Sequence, residues 1–237
     1  MEAEAVLRVL DTRRLSAGEE IERFEKHLAE YLGVKHVVSV SNATTGIELS
    51  LAANESVKPG SEVLLPAFTF PACINSVVAR GLKPVLVDIE GNSLNIDPMM
   101  IEKSLSKNTS AIIPVDAFGV PYNHKFVQEI ADNFKLQIIE DAACALGSSD
   151  NGVKIGNSIH PTIFSFHQRK IITTGEGGAV STNSDYFANR LKLLRSHGAL
   201  KGAAVVQRQP TLVQQQRFRR RTSGRRPQRQ RRELATA

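Results

Sequence analysis

The sequence predicts an α/β fold built on a mostly parallel, seven-stranded sheet with helices on both faces, and two observations carry that reading. Seven short β-branched or apolar runs recur, separated by segments of helical periodicity, which is the pattern of a sheet wound with helices. The runs are continuous Val/Ile/Leu stretches rather than strict alternations, as strands buried on both faces require. At 237 residues and 41% hydrophobic content the chain can bury a substantial core, so wholesale disorder is excluded.

In chain order the expected strands are 36–40, 62–65, 84–87, 111–115, 137–140, 162–166 and 178–181. The first helix, 19–31, places Ile21, Phe24, Leu28 and Tyr31 at helical spacing. A second, 45–53, follows the first strand, and a third, 98–106, opens with Pro98 at its first helical position behind Asp97 as N-cap. Helices 126–134 and 185–196 complete the set, the last with Leu191, Leu193 and Leu194 on its apolar side.

The formal net charge of +6 is unevenly distributed. Residues 203–237 hold ten Arg, no Lys and one acid, Glu233, a net +9, which leaves −3 for residues 1–202. The body is therefore mildly acidic, and the average charge describes an Arg/Gln-rich tail. Such a tail cannot offset its ordering entropy by burial, so disorder is expected there. It reads either as a basic arm for nucleic acid or an acidic partner, or as a terminus altered in its coding frame. Two cysteines, Cys73 and Cys144, without a CxxC pair point to no disulfide framework and no metal site. No apolar run approaches the roughly 20 residues of a membrane helix, and the start Met1-Glu-Ala-Glu lacks the basic and apolar parts of a secretory signal. A cytoplasmic location follows as the expectation, with no membrane partner.

Four segments carry candidate chemistry. Ser165-Phe-His-Gln-Arg-Lys170 runs from a strand end into Gly175-Glu-Gly-Gly178. A lysine there can be partly buried, and a neutral lysine is a nucleophile able to condense with an aldehyde cofactor such as pyridoxal phosphate and to shuttle protons. Asp141 stands just past an apolar strand, where ligands gather in open α/β sheets, and a carboxylate there can hold a pyridinium nitrogen. Ser41-Asn-Ala-Thr44-Thr45-Gly46 leads from the first strand into a helix whose N-terminal amides and hydroxyls suit a phosphate. Phe68 and Phe70 follow the second strand, where one ring could stack on a planar cofactor. Taken singly, each has a plainer reading: a surface lysine beside a glycine turn, a helix-capping aspartate, simple threonine capping, and core aromatics.

Together, in this order and spacing, these segments closely resemble the pyridoxal-phosphate-dependent sugar aminotransferases of the DegT/DnrJ/EryC1/StrS type. The resemblance runs from about Glu19 to about Gly202 and includes Val63-Leu-Leu-Pro66-Ala-Phe-Thr-Phe70, Val85-Leu-Val-Asp88-Ile, the Asp116-Ala-Phe-Gly119 turn and the Ser-Phe-His-x-x-Lys signature. It implies the large domain of a fold-type-I aminotransferase over residues 19–202, preceded by an N-terminal segment, 1–18, and followed by the tail, 203–237. It also implies that Lys170 bonds the cofactor and carries protons, and that Asp141 pairs with the ring nitrogen. Thr44, Thr45 and Ser165 would hold the phosphate, Phe70 would stack on the ring, and Cys144, where many relatives have Gln or His, would fill shape near the ring hydroxyl. The implied reaction is a two-stage transamination in amino-sugar and polysaccharide biosynthesis, from glutamate to a keto group of a nucleotide-linked sugar, on a homodimer. Relatives continue after Ser196-His-Gly198 into a small domain, which the Arg/Gln tail replaces here, so that small domain is expected to be absent. The alternative is a non-catalytic relic or regulator with a nucleic-acid-binding tail; retention of Lys170, Asp141 and Ser165 argues against it. A sugar dehydratase, a lesser alternative, would carry His in place of Lys170.

Overall fold

In the computed structural model, β1 (His36–Val40), β2 (Glu62–Pro66), β3 (Lys83–Val87), β4 (Thr109–Ile112), β5 (Gln137–Ile138) and β6 (Glu140–Asp141) are followed by a small hairpin, β7 (Ser149–Asp150) with β8 (Val153–Lys154), and then by β9 (Thr162–Ser165) and β10 (Gly178–Thr182). Two four-stranded ladders form, β3-β2-β4-β5 and β1-β10-β9-β6. Because β5 and β6 are one extended segment divided only at Ile139, the ladders join edge to edge into a seven-stranded surface. Along that segment the pairing passes from β4 to β9: Ile139 N donates to Ile112 O at 3.0 Å and Glu140 N to Pro161 O at 2.9 Å. The pairings β2–β3, β2–β4, β4–β5 and β6–β9 are parallel, whereas β10 runs antiparallel to both β1 and β9. The mostly parallel expectation therefore holds, with β10 as the one reversed strand.

The described residues are 2–13, 15 and 18–198. The tail expected to be disordered, 203–237, lies outside the described residues. The helices are α1 (Glu2–Thr12), α2 (Glu19–Leu32), α3 (Ala43–Ala53), α4 (Pro71–Ala79), α5 (Pro98–Ser104), α6 (His124–Phe134) and α7 (Asp185–Arg195). None is long and apolar enough to cross a membrane.

Successive strand residues point to opposite faces, and the core divides accordingly. Val63, Leu65, Ile139, Ile163 and Val180 pack with α3, α4 and α7 on one face. Leu64, Ile112 and Ile138 pack with α5 and α6 on the other, while Val37, Phe164 and Ala179 meet α2 there. Asp97 caps α5 as expected, accepting from Met99 N at 2.9 Å.

The hairpin β7–β8 has no counterpart in the sequence reading, and three further features depart from it. Helix α4 follows β2 directly with Pro71 in its first turn; its Ala-Cys-Ile-Asn-Ser-Val-Val-Ala stretch is apolar on most sides, so periodicity does not mark it. Helix α1 forms within the expected N-terminal segment and buries no residue. Tyr31, placed by spacing on the apolar side of α2, is 48% exposed, and Lys154 Nζ sits 3.7 Å from its ring centre. Leu32 is buried from that turn in its place.

Candidate active site

All the parallel strands and β1 end on one side of the sheet, and there the following loops enclose a cavity of about 760 Å³. This is the crevice that open α/β sheets offer to ligands. Thr44, Phe70, Asp141, Cys144, Ser165 and Lys170, six of the residues singled out from sequence, all line it. Thr45 does not: its amide donates to the Asn42 side chain at 2.8 Å and its hydroxyl lies 3.1 Å from Ser41 Oγ. Thr45 thus secures the start of α3, and Thr44 with the first-turn amides faces the cavity side.

Backbone proximity sets that helix start. A Cβ on Gly178 would lie 2.7 Å from the Asn42 carbonyl carbon and 2.8 Å from Ala43 N, so only glycine lets β10 begin against the N-terminus of α3. Ser165, the last residue of β9, is nearly buried, and its Oγ accepts from His167 N at 3.4 Å.

Lys170 lies five residues beyond the end of β9, in a turn closed by Lys170 N donating to His167 O at 2.8 Å. The loop carrying it is tied at its base by Phe166 N to Gly177 O at 2.9 Å and Thr174 N to Phe166 O at 3.0 Å. The lysine is half-buried, and its Nζ donates to Cys144 Sγ at 2.9 Å. Cys144, expected only to fill shape, therefore holds the lysine amine directly.

Asp141 is 6% exposed. Its Oδ1 accepts from Ala143 N at 3.0 Å, and its Oδ2 accepts from the Cys73 thiol at 2.9 Å. Burial pushes its carboxyl above the usual carboxylate range; the hydrogen bonds from Cys73 and Ala143 and the positive charge of Lys170 oppose that rise. Beside it, Asp116 N donates to Asp141 O at 3.0 Å. Asp116 is itself buried; its Oδ1 accepts from Tyr122 N at 3.0 Å, whereas Oδ2 has no hydrogen-bond partner.

Two features at the cavity escaped the sequence reading. Phe118 adopts φ 53° and ψ 22°, a left-handed conformation rare for an aromatic residue; it brings its ring to 5.9 Å from that of Phe68. Only the Asp116-Ala-Phe-Gly119 turn hinted at it. The Cys73 thiol bond to Asp141 spans 68 positions and left no sequence signal.

A primary amine, a buried carboxylate, an exposed aromatic ring and a hydroxyl-bearing helix start surround one cavity. This donor set fits pyridoxal phosphate, whose aldehyde, ring nitrogen, ring face and phosphate each find a matching group.

Comparison with known proteins points the same way. Residues 1–216 match the DegT/DnrJ/EryC1/StrS aminotransferase family, a span longer at both ends than the motifs quoted above. The chain is 41% identical over 198 residues to a GDP-perosamine synthase of Caulobacter vibrioides, covering 83% of this chain and 53% of that protein. Among solved structures it resembles Helicobacter pylori PseC, an aminotransferase involved in the biosynthesis of pseudoaminic acid, with TM-score 0.79, 36% identity, and coverage of 85% of this chain and 54% of that one. It also resembles NtdA of Bacillus subtilis with bound cofactor PMP, with TM-score 0.78, 32% identity, and coverage of 86% and 47%. The chain spans about half the length of these relatives.

Proposed function

The chain belongs to the DegT/DnrJ/EryC1/StrS aminotransferase family, whose members depend on pyridoxal phosphate, and from that premise we propose that it carries the cofactor site of an enzyme aminating a nucleotide-linked keto-sugar, with glutamate as amino donor, in amino-sugar biosynthesis. The observation that carries this reading is the convergence of Lys170, Asp141, Ser165 and Thr44 on one cavity. The perosamine synthase and PseC resemblances direct it towards sugars.

When bound, pyridoxal phosphate supplies an aldehyde carbon for amine exchange and an electron-withdrawing ring. The residues of the chain do the rest. Thr44 with the α3 N-terminus and the Ser165 hydroxyl would hold the phosphate, since backbone amides at a helix start favour an anion. Asp141, boxed in by Cys73 and Ala143, would present its charge to the ring nitrogen and keep a proton there. Phe70, an exposed residue of the cavity lining, would cover a ring face and exclude water from it. Lys170 Nζ, whose hydrogen bond Cys144 Sγ accepts, would be the amine that meets the cofactor's aldehyde and the group that carries the substrate proton. The domain division is proposed on the same grounds, with residues 19–202 as the cofactor-binding large domain.

The test is an absorption spectrum of the full chain with pyridoxal phosphate before and after borohydride reduction, followed by peptide mapping. The expected outcome is a cofactor band trapped on Lys170 and discharged by glutamate. A folded chain that shows no such band, or traps the label on other lysines, would refute the reading.

A further inference from the structure

Asp141 is held from the protein side through a short relay that begins just before α4. Thr69 Oγ1 donates to Cys73 Sγ at 3.3 Å, and Cys73 Sγ donates to Asp141 Oδ2 at 2.9 Å. A thiol has one hydrogen; with the Thr69 hydroxyl aimed at the sulfur, that hydrogen is directed to the carboxylate. Cys73 is completely buried in the first turn of α4, where its amide donates to Phe70 O at 3.2 Å. With Ala143 N bonded to Oδ1, both carboxylate oxygens are fixed and rotation of the group is blocked.

We propose that Cys73 is a positioning residue for Asp141, its buried thiol orienting the carboxylate towards the place of the cofactor's ring nitrogen. The proposal rests on the functional reading above for the role of Asp141, and on this chain's own geometry for the role of Cys73. Burial and the adjacent negative charge hold the thiol well above the usual thiol range, so it stays protonated and remains a donor. Burial drives the Asp141 carboxyl towards its neutral form, and the thiol hydrogen bond opposes that drive. The same five-residue segment, 69–73, thus places Phe70 in the cavity lining and, behind it, a buried hydrogen-bond donor against Asp141.

The experiment compares Cys73→Val, which keeps the shape and loses the donor, with Cys73→Ser, which keeps a donor, in the full chain. Carboxyl NMR of the cofactor-free protein reads Asp141, assigned by its loss in Asp141→Asn, and absorbance titration reads the affinity for pyridoxal phosphate. For Cys73→Val the Asp141 titration moves further up and affinity falls about tenfold, the scale of one hydrogen bond to a charged group; Cys73→Ser restores both. An Asp141 titration and a cofactor affinity unchanged in Cys73→Val, or no recovery in Cys73→Ser, would overturn the proposal while leaving the functional reading intact. Should Cys73→Val not fold, Cys73→Ala against Cys73→Ser gives the same comparison. If the unmutated chain binds no pyridoxal phosphate, the functional reading fails, and the cofactor-free carboxyl titration still decides whether Cys73 sets the state of Asp141.

Discussion

The floor and the rim of the cavity are both organised around a cysteine, yet they are built on opposite principles. On the floor, Cys73 and Asp141 are buried, and every polar atom of the carboxylate is met by a protein donor. On the rim, Cys144 is exposed and holds the half-buried Lys170, while Phe70 and Phe118 are 76% and 73% exposed. An ionisable group without water must have its partners built in, because leaving it unpaired costs more than the hydrogen bonds contribute. A group that must form and release bonds needs the converse, a weak partner and room to move. On the proposed reading, the partner of the ring nitrogen is preset by the sheet, whereas the reacting amine is presented on a loop.

The largest effect tests the rim. Lys170→Ala or Lys170→Arg removes the borohydride-trappable cofactor adduct and lowers turnover by ~10²–10⁴-fold, the range for a lost proton-transfer group; retention of the adduct would move the chemistry to another lysine. On the floor, Asp141→Asn replaces a charge by a neutral amide and lowers turnover by about 10²-fold, comparable to loss of one electrostatic contact in an active site.

The same variant exposes a pH dependence of stability. Burial raises the native carboxyl of Asp141, so the native state binds its proton more tightly than the unfolded chain. This term therefore favours the native state below the unfolded carboxylate range and is lost as pH rises through the raised native value. Subtracting the Asp141→Asn stability profile from that of the unmutated chain, by urea unfolding without cofactor, should leave this falling slope; a flat difference would show that the buried carboxyl is not perturbed.

Gly178→Ala reaches the floor through packing. Its Cβ would press on the Asn42 backbone, costing about 1–3 kcal/mol as overpacking does, readable as a lower urea midpoint accompanied by weaker cofactor binding at the α3 N-terminus. Smallest is Phe70→Ala on the rim. Loss of an exposed ring should weaken cofactor binding by about 0.5–1.5 kcal/mol, the scale of an aromatic stack, with the unfolding midpoint unchanged. A large loss of stability instead would mean that the ring belongs to the core.

Much of this architecture is legible in the residues themselves. The seven apolar runs fall on the observed strands to within a few residues, and the fourth differs for a physical reason. Expected over 111–115, it ends as a ladder at Ile112, because Pro114 offers no amide for pairing; Val115 returns only as an isolated bridge to Asp141. Helix α4 was missed because its apolar residues do not confine themselves to one face, and Tyr31 was misassigned because spacing alone cannot separate the edge of an apolar stripe from its centre. Six of the seven site residues meet at the cavity; Thr45 is turned to capping by the neighbouring Asn42, a choice that depends on backbone angles rather than composition.

Periodicity and strand-end position are local properties of the chain, and the layered α/β class, the order of strands and helices and the types of group available for chemistry follow from them. Which of those groups touch is a property of the folded molecule. Strand order places the segment after β2 against the end of β6, and so brings the Cys73 thiol to Asp141 across 68 positions. The loop between β9 and β10 folds back to bring Lys170 to Cys144 across 26. Such contacts follow from which strands are neighbours and from how a loop closes, and those depend on burial and hydrogen bonding across the whole sheet.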